Sequence, residues 1–167
     1  MQIINTNLSP KQYVAPAAGA VYEVNSDLEL ARPFMEKLVS FCRGAKDVPE
    51  DVRESAKNYE RIENNFTNKW KSTSLNSSFD VILWKFFNKE KHEDYTKNYE
   101  KEKKEYFAAR KDLLVKFCGW GKQVLNDEVE VPAKTIIEVN KFTDAISKAW
   151  YLLNENDMKA VRWALTH

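Results

Sequence analysis

Phe79-Asp80-Val81-Ile82-Leu83-Trp84-Lys85-Phe86-Phe87 is the most apolar run of the 167-residue chain. Phe79, Ile82, Leu83, Phe86 and Phe87 fall at i, i+3, i+4, i+7 and i+8, the stripe of a core-facing helix. Val81 and Trp84 widen the apolar face until little is left for water. A helix so apolar must be covered by other elements. The spacing therefore predicts a buried central helix with the rest of one packed domain wrapped round it.

On both sides of this run the helical period continues. Upstream, Phe34, Met35, Leu38, Phe41 and Cys42 make one face of a helix that starts near Arg32 and ends at Gly44. Asp47-Val48-Pro49-Glu50 reads as the next start, with Asp47 as cap and proline in the first turn. Val52, Ala56, Tyr59, Ile62, Phe66 and Trp70 then recur every three or four residues, predicting a helix over 48–71. Downstream, the charged stretch Asn88 to Asp94 reads as a tight turn with Asp94 near the next cap. Tyr95, Tyr99, Tyr106, Ala109, Leu113, Phe117, Trp120 and Val124 predict the longest helix, about thirty residues or ~45 Å. Gly119 and Gly121 lie in it, where they let another backbone come close or end the helix early. Glu128-Val129-Glu130-Val131-Pro132 reads as an extended connector. Ala133, Ile136, Ile137, Asn140, Ile146, Ala149, Trp150 and Leu153 mark a fifth helix, and Asp157 caps a short last one.

Residues 1–25 differ from the rest: charge is sparse and no helical period shows. They read as an extended N-terminal arm, and Ser26-Asp27-Leu28-Glu29 has the form of a capping box that opens the helical part. The expected architecture is all-α: a single domain of five to six helices over 26–167, around the buried helix, with the arm over 1–25. Four glycines and five prolines in the whole chain argue against a sandwich or barrel.

Composition narrows function mainly by exclusion. Twenty-six basic residues against twenty-five acidic ones give a net charge of +1, with no general attraction to nucleic acid or anionic membrane. No apolar run approaches the ~20 residues of a spanning helix. Cys42 and Cys118 sit in apolar stripes and read as buried free thiols, which suits a reducing cytoplasm. Two histidines, His92 and His167, lack the spacing of a metal site, and no glycine-rich loop opens a helix as a phosphate cradle does. No cofactor and no metal are expected.

Three surfaces remain as candidates. The first is aromatic: five tryptophans exceed what a core of this size needs, and Trp, Tyr and Arg are the usual anchors of interfaces. Trp70 and Trp163 are the binding residues expected here, for a protein partner or a second copy of the chain. The second is basic. From Lys85 to Lys122 the chain carries eleven lysines and arginines against seven acids, and Lys97, Lys101, Lys104 and Lys111 share a helix face, the pattern of a nucleic-acid contact. The third is Arg162-Trp163-Ala164-Leu165-Thr166-His167. Its Arg-x4-His spacing near the end of a helical chain resembles the signature of HEPN ribonucleases, except that the residue after the arginine is Trp163 instead of a polar one. That resemblance implies catalysis by Arg162 and His167 across a dimer of helical bundles.

The reading favoured by this sequence is a non-enzymatic protein–protein interaction module without a catalytic set. Its size, its Asn/Lys richness and its scarcity of glycine suggest a phage or mobile-element factor that binds and inhibits a host protein in the host cytoplasm.

Overall fold

A long helix organises everything around it. In a computed structural model that describes residues 31–72 and 89–167, with side chains described over 31–69 and 97–167, five helices follow one another. They are α1 (31–44), α2 (Glu50–Ser72), α3 (Lys89–Leu125), α4 (Ala133–Lys148) and α5 (Glu155–Thr166). The fold is a single all-α domain, and no strand occurs among the described residues. The Phe79–Phe87 run, the capping box at Ser26–Glu29 and the N-terminal arm lie outside the described residues.

Among the described elements the others gather on α3. Its inward residues Tyr99, Tyr106, Arg110, Leu113, Phe117, Trp120 and Val124 are buried, and the flanking Ala109, Leu114 and Cys118 widen the stripe. Burying each large apolar side chain stabilises by about 1.5–3 kcal/mol. α2 runs antiparallel along the middle of α3. Phe66 meets Tyr99 at 5.9 Å, Tyr59 meets Tyr106 at 5.8 Å, and Ser55 Oγ donates to Asp112 at 2.6 Å. At the other end α1 and α4 close on α3 through a ring cluster: Phe41–Phe117 at 6.3 Å, Phe117–Phe142 at 5.9 Å and Phe34–Phe142 at 6.0 Å. Such edge and tilted ring pairs add about 0.5–1.5 kcal/mol beyond their burial.

Gly121 sets how closely α4 crosses α3. A Cβ built there would meet Thr143 Cγ2 at 2.8 Å and Val139 Cγ1 at 3.2 Å, whereas at Gly119 nothing lies within 4 Å. The helix continues through both glycines and ends in a Schellman motif. Glu128 N donates to Gln123 O at 2.8 Å and Asp127 N to Val124 O at 3.2 Å, with Asp127 itself at φ 59.

Four boundaries differ from the expected ones. The stretch 89–94 is helical and belongs to α3, which has 37 residues instead of about thirty. Lysine and glutamate are good helix formers, and with no Gly or Pro there the helix has no reason to stop. Asp47 does not cap α2: its carboxylate accepts from Thr135 Oγ1 at 3.1 Å and ties the α1–α2 loop to the start of α4. α5 begins at Glu155, because Asn154, not Asp157, is the cap; its side chain accepts from Asp157 N. Finally, α4 stops at Lys148 although its apolar period runs on to Leu153.

Candidate interaction surface

The early end of α4 follows from two arginines on other helices. Arg162, on α5, donates from Nη2 to Ala149 O at 2.9 Å and from Nε to Ser147 O at 3.3 Å. It satisfies carbonyls that a helix end leaves without partners. Arg110, on α3, donates from Nη1 to Leu152 O at 2.7 Å. Between these two anchors Ala149, Leu152 and Leu153 are buried, and Asn154 then starts α5. Residues 149–154 are thus a short connector held at both ends and in the middle.

Arg110 has no exposed surface. A buried cation is costly unless hydrogen-bonded, and here the guanidinium is well supplied. Nη2 donates to Tyr106 Oη at 2.6 Å and Nε to Tyr59 Oη at 3.3 Å. It also lies over the rings of Tyr106 at 4.8 Å and Phe107 at 4.9 Å. The phenols pass the charge on: Tyr59 donates to Glu63 Oε2 at 2.7 Å and Tyr106 to the same oxygen at 3.3 Å. Burial raises the pKa of Tyr59 well above its ordinary value, with Arg110 opposing the shift, and Tyr106 is raised for the same reason. Both phenols therefore stay protonated and serve as donors. This network joins α2, α3 and the 149–154 connector, and it offers no activated nucleophile. Cys42 and Cys118 offer none either, since burial pushes both thiols up to about 12.

The clamped connector displays a tryptophan. Trp150 is 67% exposed, its ring meeting Tyr151 edge-on at 5.6 Å. Trp163 is 62% exposed and stacks face to face on His167 at 4.7 Å. Each directly follows one of the two residues joined by the Arg162–Ala149 hydrogen bond, so the two backbone segments that carry them lie beside each other. Of the large apolar residues described, only Ile137 and Leu125 are comparably displayed, at 56% and 39%.

Trp163, expected as a binding residue, is thus at the surface. Trp70 falls near the end of α2, and its side chain lies outside those described. Trp150 and Ile137, expected on the buried face of a fifth helix, are exposed instead; Trp150 leaves the helical register because α4 ends two residues before it. Lys97, Lys101 and Lys104 are exposed along one side of α3, while Tyr99 and Tyr106 are buried on its other side. Lys111 pairs with Asp157 of α5 at 3.0 Å. Arg162 reaches the end of α4, while His167 lies over Trp163 with Nδ1 near Thr166 Oγ1 at 2.8 Å. Among the described residues no cluster of three or more His, Cys, Asp or Glu is placed to hold a metal, and no described helix is long and apolar enough to cross a membrane.

No family model, no curated protein and no solved structure matches the chain. The site has to be read from its own geometry. Sequence reasoning missed Arg110 and Trp150. Arg110 had a signal: a cation between Tyr106 and Leu113 in the inward register of α3 needs buried partners. Trp150 had none in its own segment, because what frees it is the hydrogen bond from Arg162 to Ala149, thirteen residues apart.

Proposed function

We propose that the protein is a non-enzymatic protein–protein interaction module that engages its partner through Trp150 and Trp163. The observation that carries this reading is the exposure of two tryptophans, at 67% and 62%, on segments fixed by arginine hydrogen bonds. Exposed tryptophan contributes nothing to the core and is the commonest anchor of interface hot spots. A backbone held in place before binding loses less entropy on association. The module acts by covering part of its partner's surface, and inhibition of that partner is the effect it would have. A phage or mobile-element origin and action in a host cytoplasm belong to the same proposal. The size and composition of the chain support the first, and the two buried free thiols are compatible with the second.

The test is site-specific photocrosslinking in cells, with p-benzoylphenylalanine at position 150 or 163 and, as control, at exposed Asn58 of α2. Discrete adducts from 150 and 163 and none from 58 are expected. The ribonuclease reading is tested alongside by incubating the purified protein with labelled RNA. The hydrogen bonds of Arg162 to α4 support a structural role, so no cleavage is expected; cleavage lost in both Arg162→Ala and His167→Ala would replace the interaction reading.

A further inference from the structure

From Ala133 to Thr166 the chain contains neither glycine nor proline. Buried Val139, Thr143, Ile146, Ala149 and Leu153 recur at steps of three and four, so one inward stripe runs from α4 across the connector. The local stop signal in this stretch is Asn154, which caps α5. Apart from that cap, the residues suit one unbroken helix.

The two arginines hold the chain in its bent form. In an unbroken helix Ser147 O, Ala149 O and Leu152 O would accept from the amides of Tyr151, Leu153 and Asn156. In the structure they accept from Arg162 and Arg110 instead. These carbonyls thus have partners in either form, and straightening the connector leaves none of the three orphaned. A helix over 133–166 would be about 50 Å long and would carry α5 away from its own α3. Buried Met158, Val161 and Ala164 would then lose their cover. α5 packs chiefly on α3 and little on α4, and Lys111 of α3 pairs with its Asp157 at 3.0 Å. The α3 of a second copy offers the same docking face.

We propose that residues 149–154 are a hinge through which two copies of the chain exchange α5, each docking its α5 on the α3 of the other. The exchange goes beyond the interaction reading and needs neither exposed tryptophan. The test loosens the hinge and asks on which chain each α5 sits. Asn154→Ala/Arg162→Gln removes the cap of α5 and one anchor of the connector. Sedimentation equilibrium is expected to show a dimer dissociation constant at least about tenfold lower than that of the parent chain. Copies with and without 15N are then unfolded together in urea, refolded and treated with a carbodiimide, which joins the Lys111 amine to the Asp157 carboxylate. Mass spectrometry of the joined peptides from the dimer should find labelled Lys111 linked to unlabelled Asp157 and the reverse. Adding Trp150→Pro should return the variant to monomer. Proline cannot enter a helix interior, and Ala149 before it is already extended at ψ 136. Trp150→Ala, which removes the same indole, should leave the dimer intact. A folded variant that dimerises no more than the parent would overturn the proposal. So would links joining only equal isotopes, or a dimer that survives Trp150→Pro. Should the double variant lose its helical circular dichroism, Asn154→Ala alone, at an exposed cap, carries the same comparison.

Discussion

Arg110 is the cation at the centre of the buried polar network that joins α2, α3 and the 149–154 connector. It is fully buried and donates to Leu152 O, Tyr106 Oη and Tyr59 Oη. Replacing it by methionine would leave Glu63 with phenols that lack their own donor and a buried carbonyl without its partner. We expect Arg110→Met to cost about 3–5 kcal/mol in urea denaturation, the usual effect of removing one side of a buried charged network. A loss below about 1 kcal/mol would mean that water or a neighbour replaces the guanidinium easily. The thiols give a pH prediction. Burial raises Cys42 and Cys118 from the ordinary 9.0 to about 12, with Arg53 opposing the shift at Cys42. Above pH 9 the unfolded chain releases these protons while the folded chain keeps them. Their contribution is thus complete below pH 9 and is lost as pH rises toward 12. Each thiol lowers stability by about 1.4 kcal/mol per pH unit in that window. The urea midpoint should fall less steeply with alkaline pH in a Cys42→Ala/Cys118→Ala variant than in the parent chain.

At the scale of elements, the crossing of α3 and α4 is set by one glycine of two. Gly121→Ala should destabilise by about 1–3 kcal/mol, because its Cβ would press on Thr143 and Val139. Gly119→Ala, in open space on the same helix, should stabilise by about 0.5–1 kcal/mol through helix propensity alone. Thermal unfolding of the pair checks both signs. The contrast also marks what was legible in the sequence. Helices α1 to α3 were readable because their apolar residues recur at three and four, with Gly44 and Pro49 marking ends, but the charged stretch 89–94 read as a turn and is the first part of α3. The possibility of close approach at Gly119 and Gly121 was visible, but not which of the two does it. The end of α4 was not readable, because no residue near Lys148 breaks a helix. Hydrogen bonds from α3 and α5 break it, and a local period carries no trace of them. The candidate site was legible only in part for the same reason. Trp163 stands on a helix whose exposed face can be counted off, while Trp150 is exposed by tertiary contacts.

For the whole molecule, the central claim is that among the described residues the aromatics pack around α3 while Trp150 and Trp163 stay outside, on segments that arginines hold still. That claim separates stability from binding. Tryptophans belonging to the core would cost about 3–5 kcal/mol when truncated. Tryptophans at the surface should cost no more than about 0.5 kcal/mol each. The measurement is the urea unfolding curve of Trp150→Ser/Trp163→Ser, taken together with photocrosslinking from neighbouring position 159 in the same variant. The account predicts an unfolding free energy within about 1 kcal/mol of the parent and loss of the adducts that position 159 gives in the parent chain. A loss of several kcal/mol, or adducts that persist without either indole, would contradict it.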